Sequence, residues 1–213
     1  MIDINFLGHS CVKLRGKKVT VLIDPAKDLK KLQADIVLLT QNNLYHANTD
    51  AVSGPEGQKG PFVISGPGEY EMMECQIIGL KTNVKESPEG KESQNMIYQI
   101  MLDGLCFLHL GSLYKKLEKD QVEELSNVEV LMIPVGGSYV LEPKDATEVI
   151  AQLEPKIVIP IHYQNGEGSL PLSGVDKFLK QEGLEEKAAL DKLSIGREKL
   201  PEETEIVILN KTN

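Results

Sequence analysis

The sequence predicts an α/β fold in which two sheets pack face to face and carry helices on their outer sides. Two observations lead there. Short β-type runs separated by turn residues fill the first half of the chain. In the second half, apolar runs alternate with segments of helical period. At 213 residues, with no repeat, low-complexity tract or long linker, the chain reads as a single domain spanning 1–213 with enough length to bury a core.

Residues 2–6, 11–14 and 19–23 are short apolar strands, the last two joined by a Gly16-Lys17-Lys18 turn. Asp24-Pro25 ends that run, because proline cannot continue a central ladder. Residues 36–40 form a buried strand, followed by a polar Gly/Pro stretch over 53–60. Residues 62–65 are strand again, stopped by Gly66-Pro67-Gly68-Glu69-Tyr70, and 77–80 and 96–102 flank a charged hairpin tip at 85–92. A strand over 105–110 stops at Gly111, and residues 115–125 place Leu117, Val122 and Leu125 at helical period. From there strands at 128–134, 157–161 and 205–209 alternate with helices at 144–153 and 175–181, Gly183 serving as a C-terminal stop.

Composition removes several functions. Lys plus Arg is 23 against 32 for Asp plus Glu, a formal charge of −9, which disfavours a nucleic-acid binder because phosphate neutralisation supplies most of that affinity. No stretch of about 18 apolar residues exists, so no membrane partner is expected. Cys11, Cys75 and Cys106 lie far apart in apolar surroundings and form no C-x-x-C pair; buried reduced thiols and a cytoplasmic location follow.

Chemistry concentrates after the strand at 36–40, where the run breaks into a polar loop carrying Gln41, Asn43, Tyr45 and His46. The chain has four histidines, His9, His46, His109 and His162, each at or near a predicted strand end. Any one of them alone reads as a hydrogen-bonded structural histidine. Four at four strand ends read as descent from a metal site, since imidazole is the commonest metal ligand.

The loop at 41–46 resembles the His-x-His-x-Asp-His metal loop of the metallo-β-lactamase superfamily. Phe6-Leu-Gly-His-Ser-Cys11, Val21-Leu-Ile-Asp-Pro25, Ser65-Gly-Pro-Gly-Glu-Tyr-Glu71, His109-Leu-Gly-Ser-Leu113, Ile133-Pro-Val-Gly-Gly-Ser138 and Ile159-Pro-Ile-His-Tyr163 are similar, in order, to segments of its lactonase-like branch, the relatives of ascorbate-6-phosphate lactonase. The resemblance covers nearly the whole chain and implies a four-layer αββα sandwich with a site at one edge. It also implies one or two zinc or manganese ions that activate a bound water.

Carried over residue by residue, the resemblance puts Gln41 and Asn43 where the first two histidine ligands belong, Tyr45 at the loop aspartate and Ser112 at the bridging aspartate. Only His46 and His162 match ligand positions, and the part of His109 stays open. Neutral amides bind zinc poorly, and a phenol with a pKa of ~10 is not an anionic ligand at neutral pH. A catalytic zinc takes about three protein ligands plus water, more than two histidines supply.

Two readings follow. In the first, this is a pseudoenzyme: a non-catalytic binding or structural homologue with a degenerate metal site, no expected cofactor, and a small-molecule pocket near His9, Glu69 and His109 or a protein partner. In the alternative it is an active metal-dependent hydrolase of the lactone or phosphoester class, with one Zn or Mn ion on His46 and His162 completed by His109 or Glu69. Substrate and oligomeric state are not legible.

Overall fold

A computed structural model describes residues 1–26, 29, 32–42, 47–57, 59–83, 94–125, 127–165 and 171–212. Asn43, Tyr45, His46 and the tip at 85–92 lie outside the described residues. Fifteen strands and three helices are present among the described residues, most of the strands in two large sheets.

The first sheet contains β1 (Ile2–Gly8), β2 (Cys11–Arg15), β3 (Thr20–Ile23), β5 (Ile36–Leu38), β7 (Phe62–Ile64) and β14 (Leu193–Ile195), ordered β14-β1-β2-β3-β5-β7. The pairs β14-β1, β1-β2 and β2-β3 are antiparallel, while β3-β5 and β5-β7 are parallel. β4 (Leu32–Gln33) and β6 (Val52–Ser53) make a separate small sheet.

Successive side chains on a strand point to opposite faces, and this sheet uses both. Ile4, Phe6, Val12, Leu14, Val21, Ile23, Ile36 and Leu38 face the second sheet in the main core. Leu7, Cys11, Leu22 and Val37 face outward, where Leu29, Leu32, Ala34 and Val52 cover them. That two-sided burial explains why the strands read as continuous apolar runs.

The second sheet is ordered β15-β13-β12-β11-β10-β9-β8, with β8 (Gly68–Met72), β9 (Cys75–Asn83), β10 (Gln94–Leu102), β11 (Leu105–His109), β12 (Val130–Pro134), β13 (Ile157–Ile161) and β15 (Glu205–Ile206). β8 to β11 form an antiparallel meander, and β11, β12, β13 and β15 run parallel. Parallel neighbours need crossovers, supplied here by α1 (Lys119–Glu124), α2 (Pro143–Leu153) and α3 (Val175–Gln181). Ala146, Val149, Phe178 and Leu179 enter the core, and β11, β12 and β13 are buried at every position.

Pro160 sits inside β13 without breaking it. Val158 accepts from Val207 on the β15 side; Pro160, two residues on, faces the same side beyond the end of β15, where no ladder donor is needed.

Three sequence expectations change in detail. The strand expected at 62–65 does end before Gly66, but the stretch that stops it is not all turn: Gly68–Met72 pairs with β9 as an edge strand, and pairing overrides the poor β-propensity of Gly and Glu. The helix expected at 115–125 is shortened to α1, which starts where Glu118 and Gln121 form a capping box. The last strand ends at Ile206, after which Leu209 bridges Leu190. No helix among the described residues is long and apolar enough to cross a membrane.

Candidate functional site

The strands converge on one rim of the sandwich, where the β1–β2 turn, the end of β5 and the ends of β11, β12 and β13 meet. The rim is made of backbone that side chains rarely tolerate. His9, Asp24 and His162 all adopt left-handed conformations with φ of 55°, 49° and 52°. Each such residue costs on the order of 1–2 kcal/mol, so the packing around the rim must over-determine them. Gly111 (φ 57°) is left-handed as well, and a β-carbon there would lie 2.4 Å from Asn95 Oδ1 and 2.7 Å from Thr40 Cβ. Only glycine lets the β11 turn come this close to the end of β5.

Three sets of contacts close the rim. First, the His162 amide donates to the His9 carbonyl (2.7 Å), and the two imidazoles pack at 3.9 Å between centroids, tilted by 56°. Second, Ser112 Oγ lies 3.2 Å from His162 Nδ1, both side chains being buried. Third, Asn95 fixes the 110–112 turn: its Oδ1 accepts from the Ser112 amide (2.7 Å) while its Nδ2 donates to the Leu110 carbonyl (3.0 Å) and to Thr82 Oγ1 (2.8 Å).

His109 is deeper, fully buried, and both its ring nitrogens are engaged. The Gly111 amide can only donate, so Nδ1 accepts it (3.1 Å); the proton is therefore on Nε2, which donates to the Ser10 carbonyl (2.9 Å). Burial pushes the imidazole pKa down to about 4, against a small opposing effect of the Ser10 carbonyl. His109 is thus a neutral brace between the two sheets.

Asp24 lies under the same rim. Its carboxylate accepts from the Thr40 amide (2.7 Å) and the Thr40 hydroxyl (2.6 Å), holding the end of β5 where the polar loop begins. Burial nonetheless raises its pKa to about 7, the Thr40 donors and the Ser10 hydroxyl offsetting only part of the desolvation. Tyr98 ties the sheets beside it, its hydroxyl donating to the Leu39 carbonyl (3.0 Å), and the Met96 amide donates to the Thr40 carbonyl (2.8 Å).

Of the residues singled out from the sequence, His9, His109, Ser112 and His162 come together at this rim. Gln41 follows Thr40 directly and is half-buried there. Glu69 does not join them: it is exposed on the edge strand β8, five strands from the one ending at His162, about 24 Å across a sheet of ~4.8 Å spacing. Sequence reading missed Asp24, Thr40 and Asn95 as parts of the rim. Asp24 offered only its place after an apolar strand, and Asn95 offered no pattern, because its partners are 13 and 15 residues away.

Among the described residues, which do not include His46, the donor set does not fit a dication. Among the described residues, no group of three or more His, Cys, Asp or Glu side chains is placed to hold a metal ion. His109 has no lone pair to offer, and a hydroxyl stands on His162 Nδ1 where a carboxylate would be needed for charge.

The two-sheet architecture and its rim define the metallo-β-lactamase fold. The chain belongs to the β-lactamase superfamily domain family, whose model matches residues 3–162. Its relatives include a UPF0173 metal-dependent hydrolase of Lysinibacillus sphaericus, 27% identical over 197 residues covering 76% of this chain and 85% of that one. Another, from Thermococcus onnurineus, is 27% identical over 192 residues with the same coverage. A metallo-β-lactamase superfamily structure from Thermotoga maritima superposes with a TM-score of 0.81 at 30% identity, covering 98% of each chain. The metallo hydrolase Igni18 of Ignicoccus hospitalis shares the fold, with a TM-score of 0.65 at 18% identity over 92% of this chain.

Proposed function

We propose that this chain is a non-catalytic member of the lactonase-like branch, a single cytoplasmic domain that keeps the metallo-β-lactamase fold for binding or structure and has lost the chemistry of its metal-dependent relatives. The observation that carries this reading is at the rim: both nitrogens of His109 are used by the backbone, and the group beside His162 is the neutral Ser112 hydroxyl rather than a carboxylate. The sequence supports it, with Gln41, Asn43 and Tyr45 at positions where the resemblance expects two histidines and an aspartate. A water-activating ion needs about three protein ligands and negative charge nearby, and neither is supplied by these residues.

The names of the relatives, metal-dependent hydrolases, favour one rival, which on this chain would be a hydrolase with a single metal on His46 and His162. Elemental mass spectrometry of untagged protein, produced with manganese, zinc and iron supplied, separates the two. The proposed function expects metal far below one ion per chain and no hydrolysis of lactones or phosphoesters. About one ion per chain, lost in His46→Ala and His162→Ala together with a hydrolytic activity, would overturn it.

A further inference from the structure

We infer that Thr82, Asn95, Ser112, His162 and His9 form a metal-independent clasp that closes the rim and locks the two sheets together. The inference rests on the reading of the site as metal-poor and adds what replaces the ion. The contacts form one continuous path. Thr82 on β9 accepts from Asn95 Nδ2; Asn95 on β10 accepts from the Ser112 amide. Ser112, after β11, meets His162 Nδ1; His162, after β13, donates its amide to His9 and packs its ring on the His9 imidazole. The path starts in the meander of the second sheet and ends in the β1–β2 turn of the first, crossing four strand ends of the second sheet on the way.

Each link is polar, and four of the five residues are nearly or fully buried: Asn95 is 0% exposed, His162 3%, Ser112 4% and Thr82 5%. Buried polar groups are costly unless paired, so a chain of linked hydrogen bonds is held more firmly than its separate bonds suggest. Ser112 is the residue that decides the matter. An aspartate at this position would place a carboxylate beside His162; serine adds no charge and hydrogen-bonds Nδ1 of that ring.

A double-mutant cycle tests the clasp. Urea unfolding is measured for the full chain and for Ser112→Ala, His162→Ala and the double variant, each with and without EDTA. The clasp expects Ser112→Ala to lower the folding equilibrium constant about fivefold, the two substitutions to be non-additive by a similar factor, and EDTA to change nothing. Additive effects would overturn the clasp and leave the proposed function standing. A loss of stability with EDTA in the wild type, accompanied by released metal, would overturn both. Imidazole nitrogen NMR of the wild-type protein gives a readout that needs no variant: the clasp expects a hydrogen-bonded His162 Nδ1 that does not move when zinc is added. A zinc-dependent shift of that resonance overturns it.

Discussion

Replacing Asp24 by Asn isolates the electrostatics beneath the rim. Asn keeps an acceptor for the Thr40 amide and tolerates the left-handed backbone that Asp24 adopts at φ 49°. In the native protein the Asp24 pKa is raised from 3.8 to about 7, with burial as its main cause. The folded state therefore holds this proton more tightly than the unfolded chain does. The resulting stabilisation is full below the unfolded pKa and disappears as pH rises through 7. His109 works in the opposite direction. Its pKa falls from 6.5 to about 4, so its contribution is present above 6.5 and fades as pH drops toward 4.

The two slopes nearly cancel in the wild type between those limits, and Asp24→Asn removes one of them. Surface groups and His109 are common to both proteins and drop out of the difference to first order. Integrated between pH 5 and pH 8, the Asp24 contribution falls by roughly 2–3 kcal/mol. Urea unfolding of both proteins at unit pH steps measures it. Wild-type stability relative to Asp24→Asn is expected to decline by on the order of 2–3 kcal/mol over that range. A flat difference, or one that grows with pH, would show that the Thr40 donors keep the carboxylate ionised throughout and would refute the reasoning.

Other substitutions test the frame around the rim. Tyr98→Phe removes the hydroxyl that donates to the Leu39 carbonyl and is expected to cost about 1–2 kcal/mol in urea unfolding, with no change in metal content. Gly111→Ala forces a β-carbon to within 2.4 Å of Asn95 Oδ1 at φ 57°, and is expected to cost more than ~3 kcal/mol or to abolish soluble expression. Glu69→Gln, on the exposed edge strand, is expected to shift stability by less than ~0.5 kcal/mol and to leave metal content unchanged; a loss of metal would bring Glu69 back as a ligand. The thiols of Cys75 and Cys106 are pushed up by burial to about 12 and about 11, so a thiol reagent at neutral pH should modify them only after denaturation.

The sequence by itself determined most of the scaffold. Continuous apolar runs at residues 20–23, 36–38, 130–134 and 157–161 read as strands, and the late helical periods as helices between them; that the runs are largely buried on both faces and their helices join parallel partners came from the structure. The sequence also placed neutral side chains, Gln41 and Ser112, at positions where the resemblance expects ligands. The tertiary structure decided what the remaining groups do. The sequence left the part of His109 open; the structure makes it a buried brace with both nitrogens taken, while His162 meets a serine at the rim. The sequence could not separate Glu69 from the histidines either: their distance depends on strand order, which is set by long-range pairing. Asp24, Thr40 and Asn95 became part of the site through contacts between residues 13 or more positions apart, a separation at which local propensity carries no information.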